Sequence, residues 1–208
     1  MKIAPVYDRI MPMKKALILF TAFLIIASSA YALEFTGDLL WNKMTGTEHF
    51  KISYKDTYSA EGRSGAIIRM DQLNDKGEVT RTDIINTRRD LIWQLFPSDK
   101  RGVRFGFTGE PVLVMPNGWE KSPEVKYIKD EKYAGVPCKL YLWTSSKSKF
   151  FKIAYYYWIS KENIIVKQGD DKLGKTFMQL SNLKTYPNKT LSESVFKIPY
   201  EYDVQKIQ

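Results

Sequence analysis

The chain has 208 residues, a formal net charge of +9, a single histidine and a single cysteine. One thiol cannot close an internal disulfide, and one histidine leaves little for a metal centre or a histidine-based triad. With 44% hydrophobic and 14% aromatic residues there is enough apolar material for one real core.

The first segment reads as an address rather than as fold. Lys14 and Lys15 precede an apolar run from Ala16 to Ala27, followed by Ser28, Ser29 and Ala30-Tyr31-Ala32. A charged start, a short apolar middle and an A-x-A site describe a secretory signal peptide over residues 1–32, with cutting expected after Ala32. The run is shorter than the roughly 20 residues of a membrane span, so an uncleaved anchor is the alternative. Met1, Met11 and Met13 are each candidate starts, and no cysteine follows the cleavage site to carry a lipid. Residues 33–208 are then one domain. Removing Lys2, Arg9, Lys14 and Lys15 against Asp8 takes 3 from the +9 and leaves +6. An exported chain of that charge suits anionic lipid surfaces or acidic partners rather than nucleic acid, and solubility alone is an equal explanation.

The strands follow in order. Leu33–Met44 is a first strand interrupted at Gly37, and Thr45-Gly46-Thr47 turns it. His49–Tyr58 alternates, with Phe50, Ile52 and Tyr54 opposite Lys51, Ser53 and Lys55, as a half-buried strand does. Ala66–Leu73 and Val79–Thr87 flank Asn74-Asp75-Lys76-Gly77, a hairpin turn whose residues tolerate left-handed backbone. Leu91–Phe96 and Gly102–Thr108 come next. In Glu110–Lys132, Pro111, Pro116, Gly118 and Pro123 interrupt regular structure. At most Pro123–Glu131 makes a helical turn or two. The same stretch holds Val112, Leu113, Val114, Met115 and Trp119, as a loop that folds over something would.

Tyr133–Leu183 organises the rest. Lys139–Thr144, Phe150–Ile159, Ile164–Gln168 and Lys175–Lys184 are four strands separated by Ser, Asn, Asp and Gly clusters. In the second strand both alternating sets are apolar: Ile153, Tyr155, Tyr157 and Ile159 on one side, Ala154, Tyr156 and Trp158 on the other. A solvated antiparallel sheet is polar on one face. Each face here should therefore meet protein or a greasy ligand. About ten strands and almost no helix predict a mainly β domain: a large curved antiparallel sheet, an open barrel or a sandwich.

Catalytic constellations are poorly supplied. His49 lies in a strand with no partnered base in view, Asp130-Glu131 and Asp170-Asp171 read as solvated turns, and Gly102 and Gly106 flank a strand rather than a helix start. Cys138, after Pro137, reads as a small buried hydrophobe. Asn188-Lys189-Thr190 fits a glycosylation sequon. Of Arg63, Arg69, Arg81, Arg88 and Arg89, any that points inward needs a carboxylate or carbonyls.

Several motifs in this order resemble the LolA-like superfamily of periplasmic lipoprotein carriers and outer-membrane lipoprotein-sorting proteins. They are Arg69-x-Asp71, then Trp93-x-Leu95-x-Pro97 before Lys100-Arg101, then Gly135-Val136-Pro137-Cys138-Lys139-Leu140-Tyr141. Trp158-Ile159-Ser160 with Lys167 follows, and Phe196-Lys197-Ile198-Pro199 with Tyr202 looks like the family's terminal strand. The resemblance implies an incomplete antiparallel barrel whose apolar concave face holds acyl chains beneath a lid; the poor supply of catalytic and metal-binding constellations separately leads to the expectation of no cofactor, no metal and no enzyme chemistry. It implies Arg63 or Arg69 as the lid-locking arginine and Glu110–Lys132 as the lid. Here Leu33 enters a strand directly, where the best-known carriers have a helix.

The expected cavity residues are Trp93, Leu95, Tyr141, Trp143, Tyr155, Tyr157, Trp158 and Phe177. Alternation does not say which strand face looks inward. Expected partners are lipid or lipoprotein acyl chains, envelope membrane proteins and, transiently, the membrane surface. The alternative is a non-enzymatic envelope structural or protein-interaction module in which the same aromatics close a core.

Overall fold

A computed structural model describes residues 32–58, 64–106, 109, 112–145, 153–170, 175–186 and 191–207. The expected signal peptide, Arg63, Phe107, Thr108, Asp171 and the Asn188 sequon lie outside the described residues. Residues 32–208 make one compact unit.

Among the described residues twelve strands form a single curved sheet that does not close into a barrel, the class expected. They are β1 Glu34–Lys43, β2 Gly46–Tyr58, β3 Ser64–Leu73, β4 Val79–Asn86, β5 Leu91–Phe96 and β6 Arg101–Gly106. After the covering loop come β7 Val125–Tyr133, β8 Val136–Thr144, β9 Ala154–Ser160, β10 Ile165–Asp170, β11 Lys175–Thr185 and β12 Asp203–Lys206. Two antiparallel meanders, β1–β6 and β7–β11, join where β11 pairs with β1, giving the order β12-β6-β5-β4-β3-β2-β1-β11-β10-β9-β8-β7.

The sheet is bent by its sequence. Gly37 does not interrupt β1, whose pairing with β2 runs unbroken from Glu34 to Lys43. Instead the pairing with β11 slips between Thr36 and Asp38, a bulge that increases local twist. A Cβ at Gly37 would lie 3.0 Å from Leu180 Cδ1 and 3.1 Å from the Ser181 carbonyl oxygen, a tight fit that any larger residue would have to relieve by shifting its neighbours by a few tenths of an ångström. Further slips fall in β10 and β11, and in β7 between Tyr127 and Lys129.

Because the sheet curls, the concave sides of strands far apart in its order share one core. Phe35, Leu39, Phe50, Ile52, Ile68 and Met70 from the first meander pack in the same cluster as Tyr141, Ile159, Ile165 and Leu180 from the second. Phe50, Ile52 and Tyr54 are buried while Lys51, Ser53 and Lys55 are not, as the alternation predicts.

Two segments differ from the sequence expectation. Pro123–Glu131 is not a helical turn: Val125–Tyr133 is an edge strand, so Asp130 and Glu131 sit in a strand rather than a turn. Its outward residues include Lys126, Lys129 and Lys132, and such charge protects a free sheet edge while hiding the β pattern. The terminal strand is not at Phe196–Pro199 either. Glu193–Phe196 is a 3₁₀ turn, and the strand comes later as β12, running parallel to β6.

Candidate functional site

The loop between β6 and β7 covers the concave face. Leu113 and Met115 are buried in the core cluster there, and Trp119 packs against it. Main-chain bonds hold the loop to the β9–β10 turn. Met115 N–H donates to the Asn163 carbonyl at 2.9 Å, Ile165 N–H donates to the Leu113 carbonyl at 2.9 Å, and Val114 bridges Ile164. The Asn163 amide reaches Asn117 Oδ1 at 2.9 Å. Asn163 itself sits at φ 63°, a left-handed turn position that asparagine tolerates well.

Past Pro116 and Gly118 (φ 81°), a 3₁₀ turn at Trp119–Lys121 aims an indole into the sheet. Its edge contacts are Tyr141 at 5.6 Å and Tyr157 at 5.4 Å between ring centroids. Such T-shaped pairs contribute about 0.5–1.5 kcal/mol each beyond buried area. The loop is therefore seated by its backbone and one tryptophan.

Beside the seated loop the concave face stays hollow. A cavity of about 1430 Å³ lies between the β1–β2 hairpin, the start of β11, β9–β10 and the loop. Trp41, Met115, Tyr157, Ile165, Phe177 and Met178 supply its apolar wall, with the exposed Met44 and Val112 at its rim. Asn42, Lys43, Thr47, Gln168, Lys175 and Thr176 supply its polar margin. It is open to solvent on one side, and its volume is larger than the roughly 300–1,000 Å³ of ordinary small-molecule pockets. Burial pushes the Tyr157 phenol up to about 12, with Tyr155 adding to it, so the wall stays uncharged at any physiological pH. Gln168 donates to that phenol oxygen at 3.2 Å.

Of the predicted lining residues, Tyr157 and Phe177 stand in the cavity wall. Trp143, Tyr155 and Phe177 form an aromatic row leading to it, stacked at 6.0 Å and then edge-on at 5.5 Å. Trp143 Nε1 donates to Glu124 Oε2 at 3.2 Å, which anchors the far end. Tyr141 is on the same face but buried under Trp119.

Trp93, Leu95 and Trp158 are corrections: all three are on the convex face. Leu95 stands opposite Thr82, and Trp93 opposite Ile84 in β4, while the concave residue of that strand is Ile85. Trp158 belongs to a separate cluster with Cys138, Leu140 and Val166. The doubly apolar β9 is explained without a ligand on that side. Lys167 lays its ammonium 4.3 Å from the Trp158 ring and 5.1 Å from Tyr133, and Glu131 accepts from Trp158 Nε1 at 3.1 Å. A long basic side chain can cover apolar surface while its head stays wet. Cys138 is buried there, and its thiol is pushed up to about 11 by that burial, so it is a poor nucleophile.

Arg69 is a further correction, since it faces away from the loop. Its Nε donates to both Asp71 oxygens at 3.0 and 2.9 Å, and Nη1 donates to the Val195 carbonyl at 3.0 Å. It fastens the C-terminal segment to the convex side of β3. Lys55 works alongside, bonded to Glu193 and 3.6 Å from Glu34, whose carboxylate accepts from Leu191 N–H. Burial opposes the Lys55 charge, yet the hydrogen bond and charge of Glu193, with Glu34 behind it, hold its pKa above the ordinary value. Phe196, in the 3₁₀ turn that packs on β3, is buried, and so are Ile84 and Leu95 on the convex side of β4 and β5. Arg81, by contrast, shares the concave side of β4 and pairs with Asp83 at 3.0 Å, whose other oxygen accepts from Gln94 at 3.0 Å.

His49 is exposed and lines a smaller groove of about 290 Å³ with Asp38 and Lys51. Among the described residues no group of three or more His, Cys, Asp or Glu could hold a metal ion, and no helix is long and apolar enough to cross a membrane. Sequence reasoning missed Trp41, Ile165 and Met178 as wall and Met44 at the rim. Trp41 shares the alternation of Phe35 and Leu39 and was the one available signal.

No family model and no curated protein matches the sequence. Solved structures do. Pseudomonas aeruginosa MucB, in its complex with MucA, has a TM-score of 0.52 at 11% identity, over 88% of this chain and 61% of that one. An uncharacterized conserved protein from Thermus thermophilus has 0.50 at 12% identity, covering 91% of this chain and 99% of that one. A putative outer membrane lipoprotein-sorting protein domain from Vibrio parahaemolyticus is a looser likeness, 0.38 at 13% identity over 86% of this chain and 95% of that one. The chain spans between 55% and 63% of the MucB chains it matches. What the MucB and Thermus likenesses show is the fold: an open, mostly antiparallel sheet wrapped around an apolar face.

Proposed function

We propose that this is a non-enzymatic periplasmic carrier or sorting protein that holds acyl chains of a lipid or lipoprotein in its half-barrel. The observation that carries the reading is the hollow of about 1430 Å³ between sheet and loop, walled by Trp41, Met115, Tyr157, Phe177 and Met178. Each CH₂ moved from water into such a wall contributes about 0.8 kcal/mol, so a chain needs no polar chemistry to bind. The mouth carries Lys43 and Lys175, which suits contact with anionic membrane surfaces, weakening with salt.

Native mass spectrometry of the protein purified from its own envelope tests this. An adduct of lipid mass that disappears in Tyr157→Glu supports carriage. A clean unliganded mass, with no uptake of a fluorescent fatty acid, refutes it.

A second reading, a protein-interaction module, is favoured by the MucB structures that contain MucA. In that reading the same preparation carries a co-purifying protein in place of a lipid.

A further inference from the structure

We infer that the Ala32–Leu33 bond is a processing site, and that Asp56 is a ready-made acceptor for the α-ammonium that cleavage creates at Leu33. The inference uses the export reading of the first 32 residues and is independent of what the cavity binds. Sequence supplies one half: Ala30 and Ala32 place small residues at the positions such a cleavage reads.

Structure supplies the other. The compact unit begins at Ala32, and the Leu33 nitrogen lies 3.0 Å from Asp56 Oδ2. The second Asp56 oxygen accepts from the Tyr54 hydroxyl at 2.8 Å, which fixes the carboxylate's direction. The Leu33 carbonyl in turn accepts from Asp56 N–H at 2.9 Å. Ladder pairing of β1 with β2 starts one residue later, at Glu34 and Lys55. One oxygen of the carboxylate is therefore directed at the nitrogen that would become terminal, and the other is held by Tyr54.

Hydrolysis by a signal-cleaving endopeptidase adds the oxygen of water to the Ala32 carbonyl carbon and breaks its bond to the Leu33 nitrogen. Ala32 departs as a carboxylate, and the nitrogen takes up protons to become an ammonium. The carboxylate already makes the amide bond a charge-assisted one, and an ammonium at the same nitrogen adds the attraction of an ion pair to it. The charges around it argue the same way. Asp56, Glu34 and Glu193 are acidic, with Lys55 between the last two and Lys184 across on β11, in register with Thr36. Tyr186, whose N–H bonds the Glu34 carbonyl, adds only a neutral phenol. The ammonium supplies a cation on the Asp56 side of this corner. Since the Leu33 carbonyl is tied to β2 in the folded chain, the cut precedes docking of β1.

The test uses the full chain, exported from a bacterial host and purified as processed. Intact mass and N-terminal sequencing are expected to give a chain starting at Leu33. NMR titration is expected to place its α-ammonium about 1 unit or more above the ordinary ~7.7–8.0. Asp56→Asn returns the titration to the ordinary range, and Tyr54→Phe returns it part of the way. A start at another residue overturns the inference while leaving export intact, and an uncut chain overturns both. A wild-type Leu33 amine titrating in the ordinary range also overturns it, whether or not the Asp56 variant folds.

Discussion

Each face of the sheet has its own cover, and the two are fastened by different chemistry. On the concave side the 112–124 loop is seated by backbone bonds at Leu113–Met115 and by the Trp119 ring, and a hollow remains beside it. On the convex side residues 191–207 are fastened by Arg69, Lys55 and Glu34, bury Phe196 and end as a strand on β6. The apolar sheet surface is finished on one side by the chain itself. On the other it is left unfinished, and the proposed guest would sit there.

The comparison predicts that convex changes cost stability and concave changes alter binding. The largest effect is expected from Phe196→Ala, a buried aromatic truncation worth about 3–5 kcal/mol in denaturant unfolding. The folded fraction should bind an apolar probe as the wild type does; a large loss of affinity there would break the division between the two faces. Arg69→Met removes the bonds to Asp71 and Val195 and should cost about 1.5–3 kcal/mol, as hydrogen bonds to charged groups do. Limited proteolysis should then cut within 191–207 before 112–124, and the reverse order would count against the clamp.

Trp119→Ala removes two edge contacts, about 1–3 kcal/mol together. Its distinctive consequence is kinetic, a faster release of bound probe by stopped-flow, which Phe196→Ala should not show. An unchanged release rate would mean that Trp119 does not gate the hollow.

Much of this division is legible in the sequence, and the misses have physical causes. The hairpin at Asn74–Gly77, the β5 limits and the covering loop follow from turn chemistry and proline positions. Cavity placement fails at Trp93, Leu95 and Trp158 because period-2 alternation assigns residues to two faces without saying which is concave. Which face is concave depends on the curl of the whole sheet, including the long-range pairing of β1 with β11, and no local pattern contains that. The edge strand β7 is hidden by its lysines. Arg69 is recognisable as a residue needing partners, yet the partner carbonyl is 126 positions away in sequence.

A pH experiment sharpens the concave side. Burial raises the Tyr157 phenol from 10.0 to about 12, so the neutral form is the one the fold holds. A pKa raised in the folded state gives stability that is whole below the unfolded value and is lost as pH rises through the folded one. Stability should therefore decline between about pH 10 and 12, less steeply in Tyr157→Phe; equal slopes would place the phenol in water. The smallest effect concerns Cys138. Its thiol, raised to about 11 by burial, should stay unlabelled by a disulfide reagent near neutral pH until the chain unfolds. Rapid labelling of the folded protein would show that the convex cluster is open.

The most direct test of the central claim is photo-crosslinking with a diazirine-bearing fatty acid, followed by peptide mapping. Adducts on Trp41, Met115, Tyr157, Phe177 or Met178 are the predicted result. Adducts confined to Trp93, Leu140 or Trp158, or none above background, would contradict it.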